Sequence, residues 1–215
     1  MEIELKIGLA TEADRTLLIK KFGPPEQSIT QRNLFLDGEN GELSFEKIAL
    51  RVRREKEFPA AGPAIEHVVL ALKAGISSDG VLSKREEIES PLGLSMDEVA
   101  RSPGRLLMMV QEPILELKKR VPALESLKTI GVFDNDRVVI PVSLDIEGKM
   151  VKTTWEVDRT VFPGGRVDCE LEIELEDESG ADAIAQAVER TLADAGVKTV
   201  PQPNGKYSRF LSCLK

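Results

Sequence analysis

Glu170-Leu171-Glu172-Ile173-Glu174-Leu175-Glu176 alternates charged and apolar side chains without a break. A period of two is the repeat of a β-strand, whose successive side chains leave on opposite faces. Four carboxylates therefore share one face, with neighbours about 6–7 Å apart from the strand rise. Such a ladder repels itself unless cations stand against it. The beginning of the chain is built the same way, Ile3, Leu5 and Ile7 alternating with Glu2, Glu4 and Lys6. Working outward from these two stretches, extended segments follow over 29–36, 47–55, 66–74, 83–90, 128–134, 137–146 and 149–158. Turn signals at Asp37-Gly38, Asn40-Gly41, Asp79-Gly80, Asp134-Asn135, Glu147-Gly148 and Pro163-Gly164-Gly165 separate many of them.

Helical patterns are fewer. Thr11 reads as an N-cap with Asp14 three positions on, and Gly23-Pro24-Pro25 ends that segment. Ser95 caps a short helix before Pro103, residues 104–120 read as a second helix bent at Pro113, and Ser179 opens a last one. In the last, Ala183, Ile184, Ala187, Val188 and Leu192 share a face, and Ala195-Gly196 closes it. Many short consecutive strands with interspersed helices give an α+β protein: an antiparallel sheet closed on itself, with helices packed outside.

Charge is sorted by face. Arg51 and Arg53 lie opposite Leu50 and Val52, Lys73 lies opposite Leu70 and Leu72, and Arg85, Glu87 and Glu89 share a face of their own. With the apolar faces under helices, closing the sheet gathers the charged faces around a common interior. An interior of both signs suits a ligand of both signs, such as a metal-bound polyphosphate: carboxylates hold a hard divalent cation while Lys and Arg contact phosphate oxygens. The chain as a whole, 215 residues with 29 Lys+Arg against 37 Asp+Glu and a net charge of −8, is a poor partner for nucleic acid or an anionic membrane. No apolar run reaches the ~20 residues of a membrane-spanning helix. The start, Met1-Glu2-Ile3-Glu4, lacks the basic and apolar regions of a secretory signal, so a cytoplasmic protein is expected. Cys169 and Cys213 form neither a metal-ligand spacing nor a disulfide framework, the lone His67 reads as an ordinary strand residue, and there is no P-loop.

Glu2-Ile3-Glu4-Leu5-Lys6 resembles the E-x-E-x-K signature of the CYTH superfamily, the triphosphate tunnel metalloenzymes. The resemblance continues in family order through Gln31-Arg32-Asn33-Leu34-Phe35-Leu36-Asp37, Ala49-Leu50-Arg51-Val52-Arg53, Leu72-Lys73, Ser83-Lys84-Arg85-Glu86-Glu87, Arg137, Trp155-Glu156-Val157-Asp158, the glutamate ladder and Gly205-Lys206-Tyr207. It implies one tunnel domain over 1–215, a closed eight-stranded antiparallel barrel, so the nine extended segments above exceed the family by one. It implies Mg²⁺ or Mn²⁺ held by Glu2 and Glu4 with two of Glu170, Glu172 and Glu174, and Asp158 and Glu87 as further acidic tunnel residues, Asp158 counted with the metal set. Lys6, Arg51, Arg53, Lys73, Arg85, Arg137 and Lys206 would contact the phosphates, with Glu4, Glu172 and Lys6 nearest the chemistry.

The implied activity is hydrolysis of inorganic triphosphate to phosphate and pyrophosphate, most similar to plant-type tripolyphosphatase members. Thiamine-triphosphatase members carry a Trp two residues before the first Arg of R-x-R, where this chain has Ala49; the missing aromatic platform favours a smaller substrate. A class IV adenylate cyclase is the alternative enzyme, and a polyphosphate-binding module the alternative without catalysis.

Overall fold

The computed structural model describes residues 2–214 apart from 80, 147, 179 and 203, and for residues 2 and 76–79 the backbone alone. Gly80, Glu147 and Ser179, read above as turn and cap residues, thus lie outside the described residues, as does the side chain of Glu2. The elements run β1 (Glu2–Leu9), α1 (Glu12–Phe22), β2 (Gln27–Asp37), α2 (Glu42–Phe45), β3 (Ala49–Pro59), β4 (Ile65–Asp79), β5 (Leu82–Pro91) and α3 (Met96–Arg101). After a 3-10 turn at Pro103–Met108 come α4 (Glu112–Arg120), β6 (Lys128–Ile146), β7 (Lys149–Val161), β8 (Val167–Leu175), α5 (Ala181–Asp194), β9 (Thr199–Val200) and α6 (Lys206–Ser212).

The strands pair in the order β5-β4-β3-β2-β6-β7-β8-β1, every neighbour antiparallel, and β1 returns to β5 through Glu2↔Arg85 to Leu5↔Leu82. That pairing closes an eight-stranded barrel. The short β9 lies outside it, on the far end of β1, where Gly8 faces Val200. A Cβ at Gly8 would come within 2.7 Å of the Val200 carbonyl oxygen, so this approach needs glycine. No described helix is long and apolar enough to cross a membrane.

The surplus segment is explained by β6, a single strand of 19 residues where the sequence reading has 128–134 and 137–146 divided by an Asp134-Asn135 turn. Asn135 stays in the strand because its amide is satisfied on both sides, donating to Gln31 and accepting from Thr160. The 104–120 helix is corrected as well. The chain makes a 3-10 turn, breaks, and starts α4 with Pro113 in the first turn, where a missing N–H costs no helical hydrogen bond. Thr11 and Ser95 cap as read, each accepting from the backbone N–H three residues on, and Glu98 completes a capping box at Ser95.

The apolar faces point outward, under the helices. Leu5, Ile7, Leu171, Ile173, Ile140 and Trp155 pack with α1 and α5 in one cluster. Leu34, Leu36, Leu50, Val52, Leu70 and Leu72 pack with α3 and α4 in another. Each buried Leu or Ile contributes about 1.5–3 kcal/mol, and with the apolar sides spent outside, the charged sides turn inward. A third cluster lies across one end of the barrel, where Phe210 of α6 stacks on Phe35 at 5.0 Å between centroids and contacts Phe133 at 5.8 Å. The helix comes this close because Gly131, at φ +147 in the bulge opposite Phe35, has no Cβ: one would lie 3.0 Å from the Phe210 ring.

Candidate active site

The inward faces enclose a cavity of about 520 Å³ lined by eight cationic side chains and seven carboxylates. In a chain of net charge −8 that balance is set mainly by strand alternation, with Lys47 added from a turn and Lys206 from α6. The walls divide into two groups.

On β1, β6, β7 and β8, joined by α6, carboxylates and cations interlock. Lys6 Nζ reaches Glu4 Oε1 at 2.8 Å and Glu172 Oε1 at 3.4 Å, and Arg85 Nη2 donates to Glu4 Oε2 at 3.0 Å. Arg137 makes a fork with Asp158 at 2.8 and 2.7 Å, reaches Glu172 at 2.7 Å and also contacts Glu156. Lys206 Nζ lies between Asp158 at 2.7 Å, Glu170 at 2.5 Å and Glu172 at 2.9 Å.

On β3, β4 and β5 the cations dominate. Arg51 and Arg53 share Glu89 at 3.3 and 3.1 Å, Arg51 also reaches Glu87 at 3.1 Å, and Lys73 meets Glu87 at 2.5 Å.

Charge crowding perturbs these groups in opposite directions. Burial, helped by the nearby Arg53 and Arg85, pushes the Arg51 guanidinium down to about 10 against the pull of Glu87 and Glu89. Its Nε is buried without a hydrogen-bond acceptor among the described residues. A cation so placed is relieved by an anion, and phosphate oxygens are acceptors of the right kind.

Burial and the charge of Glu172 raise Glu4 above the usual carboxylate range, against Arg85 and Lys6. Glu172 itself is held well below that range: burial opposes its charge, but Lys206, Lys6 and Arg137 prevail. Asp158 is likewise held low by Arg137 and Lys206 against burial. Burial works against Lys206 too, yet its three carboxylates raise it well above the lysine range.

The oxygen donors suit a hard divalent cation. Asp158, Glu170 and Glu172 offer oxygens within 4.8 Å of one another. The Lys206 ammonium already stands among those three. Glu4 is raised by burial first and by the charge of Glu172 second, so a further cation beside these two carboxylates would relieve charge. Glu174, paired with Glu4 in the strand register, lines the same cavity.

All the phosphate-contact residues read from the sequence, Lys6, Arg51, Arg53, Lys73, Arg85, Arg137 and Lys206, line this one cavity, together with Glu4, Glu87, Glu172 and Glu174. Asp158 and Glu170 sit beneath it, fully buried. Glu55, Glu89, Glu156 and Lys47 also line it and were not assigned to the site. Glu156 was legible, being two residues from Asp158 on the face opposite Trp155 and Val157. Lys47 opens the extended segment read over 47–55 and shares the parity of Arg51 and Arg53, but the strand starts only at Ala49 and Lys47 enters from a turn with φ +56. At Ala49, where the aromatic platform is missing, the space is filled by Phe35 with Tyr207 of α6 stacked on it at 5.0 Å.

The model of the CYTH domain matches residues 1–202. Among solved structures, an adenylyl cyclase candidate from Hippeastrum, described as revealing a dominant triphosphatase activity, is 25% identical over 99% of this chain and 96% of its own, with a TM-score of 0.80. An adenylate cyclase candidate from Bacillus halodurans matches at 21% identity over 98% and 97% of the two chains, and a Pyrococcus horikoshii protein at 17% over 99% of each, both with a TM-score of 0.60. No curated protein matches.

Proposed function

The chain belongs to the CYTH family, and from that premise we propose that it hydrolyses inorganic triphosphate to phosphate and pyrophosphate with Mg²⁺ or Mn²⁺. The observation that carries the reading is the cationic wall of Arg51, Arg53 and Lys73 facing the carboxylates Glu4 and Glu172 across one cavity. A polyphosphate placed between them takes over the cations that Glu87 and Glu89 now hold. Phosphoryl transfer asks chiefly for neutralisation of charge on the transferring group and for a positioned water. Arg51, Arg53, Lys73 and Arg85 supply the first, with Lys6, Arg137 and Lys206 on the opposite wall.

Glu4 and Glu172, with Glu174 and Glu2, would hold the metal ion. Bound there, the ion adds positive charge at phosphate oxygens and favours deprotonation of water at neutral pH. We assign Asp158 and Glu170 to the Lys206 ammonium, which they fix in the wall. Glu4, raised above the usual carboxylate range by burial and by Glu172, is the carboxylate placed to exchange a proton, and Glu172 remains ionised beside it.

Two observations favour triphosphate over an organic ester of it. Ala49 offers no platform, and the rings at that end stack on one another under α6. The 25% identical Hippeastrum protein is described by triphosphatase activity in spite of its cyclase label. The test is phosphate release from triphosphate, ATP and thiamine triphosphate with each metal, beside mass detection of cyclic AMP. Turnover of triphosphate no faster than by Glu4→Ala overturns the proposal, and cyclic AMP from ATP would replace it with the cyclase reading. Tight binding without loss of triphosphate over hours would leave a binding module.

A further inference from the structure

One polar chain in the barrel wall takes no part in the ion pairs above. Thr160 Oγ1 donates to Asn135 Oδ1 at 2.7 Å, Asn135 Nδ2 donates to Gln31 Oε1 at 3.0 Å, and Gln31 Nε2 donates to Glu55 Oε1 at 2.6 Å. The other carboxylate oxygen of Glu55 meets His67 Nε2 at 2.9 Å. The register explains the continuity. Thr160 stands opposite Asn135, Asn135 opposite Gln31, Gln31 opposite Glu55, and Glu55 opposite His67. The chain is thus a belt at one level of the barrel across five adjacent strands, β7, β6, β2, β3 and β4.

The belt has a direction. Each amide accepts through its oxygen and donates through its nitrogen, so turning either one over sacrifices two buried hydrogen bonds, and the series ends on a carboxylate, where a hydrogen bond is strongest. Thr160, Asn135, Gln31 and Glu55 are all buried. Glu55 Oε1 also lies 3.0 Å from Nε of Arg53, an ion pair whose alignment falls short of a hydrogen bond, while Arg53 Nη2 reaches Glu89. Of the two carboxylates on Arg53, Glu89 is shared with Arg51, whereas Glu55 is tied on both oxygens.

We propose that Glu55, fixed by the belt and by His67, is a positioning residue that sets the Arg53 guanidinium for the polyphosphate. The proposal rests on the triphosphate reading of the cavity. It also explains a cost. A carboxylate in the wall of a polyanion site repels the ligand, so without a positioning role its removal should tighten binding; with one, removal should weaken it.

The sign is the test. Binding of sodium triphosphate is measured by calorimetry in EDTA, and KM and kcat with Mg²⁺, for the full chain and for Glu55→Ala, Glu55→Gln and Gln31→Leu, each checked for a cooperative thermal transition. Glu55→Ala is expected to weaken triphosphate binding about tenfold and to raise KM in proportion, with kcat changed much less. Glu55→Gln, which keeps an acceptor for Gln31, should recover most of that loss, and Gln31→Leu, which frees Glu55 without altering its charge, should weaken binding severalfold. Tighter or unchanged binding by Glu55→Ala overturns the proposal, as does a lowered melting temperature with KM unmoved. Should Glu55→Ala not fold, Gln31→Leu decides in the same way. Absence of triphosphate binding by the unaltered chain would instead count against the triphosphate reading itself.

Discussion

Glu156 gives the sharpest physical test of the tunnel, because its charge is held at a loss. It lies on β7 with its side chain 20% exposed, beside Arg137. Burial pushes its carboxyl up to about 7, and Asp158, Glu172 and Glu174 add to the rise while Arg137 opposes it. In the unfolded chain the group titrates near 4.5. The folded protein therefore holds this proton more tightly than the unfolded one. The stability it lends is fully present below about 4.5 and is lost as pH rises through about 7. At about 1.4 kcal/mol per pH unit, that rise corresponds to about 3 kcal/mol, most of it between pH 5 and 8. Glu156→Gln removes the titration without orphaning Arg137, which keeps Asp158 and Glu172 at 2.7 Å. Urea unfolding of both proteins at pH 5 and pH 8, in EDTA and without phosphate, should show the variant gaining about 2–3 kcal/mol on the wild type between the two conditions. Every other titrating group cancels in that difference, to the extent that it does not feel Glu156. Parallel stability curves would refute the reasoning and mean that the tunnel solvates Glu156 as well as water does.

Three further outcomes follow from the same geometry. Lys206→Met leaves Asp158 and Glu170 buried without their shared ammonium and should cost about 3–5 kcal/mol in denaturant unfolding, part of it regained by adding Asp158→Asn. Arg51→Ala should raise KM for triphosphate by one to two orders of magnitude, the value of about 1.5–3 kcal/mol for a hydrogen bond to a charged group, with a smaller change in kcat by steady-state assay. Gly131→Ala, forced to φ +147 with its Cβ against Phe210, should lower stability by about 1–3 kcal/mol in thermal unfolding and loosen α6, read as increased amide exchange over 206–212.

The barrel was legible because its alternation is unusually clean. Leu50 and Val52 against Arg51 and Arg53, or Leu171 and Ile173 against the glutamates, tell which face meets helices and which meets the lumen, and eight such strands can hide their charges only by closing. Local signals failed where tertiary partners outvoted them. Asp134-Asn135 carries turn chemistry, yet Gln31 and Thr160 supply the hydrogen bonds a turn would have provided, and β6 runs through. Lys206 was placed among the phosphate contacts by resemblance, but its seat between Asp158, Glu170 and Glu172 depends on α6 folding back across the barrel end, which no local pattern encodes. His67 looked like an ordinary strand residue. Its bond to Glu55 follows from the β3–β4 register, and register between distant strands is not written in either strand alone.

The ion pairs inside the tunnel also bear on how such a site binds at all. Eight cations gathered in one lumen would destabilise the barrel by mutual repulsion, which adds to burial in lowering Arg51. The seven carboxylates among them compensate, so that the folded protein carries its own substitute for the polyanion. Binding is then an exchange: phosphate oxygens replace Glu87 and Glu89 on Arg51, Arg53 and Lys73, and a metal ion takes up part of the negative charge gathered at Glu4 and Glu172. Either ligand can bind alone, but less tightly, since phosphate alone adds to the repulsion at Glu4 and metal alone adds to that at Arg85 and Lys6. Metal and triphosphate should accordingly bind with positive coupling, each tightening the other by the same factor. Calorimetric titration of each ligand with and without the other measures that factor, and equal affinities in the two titrations would show that the tunnel's charges do not act as one system.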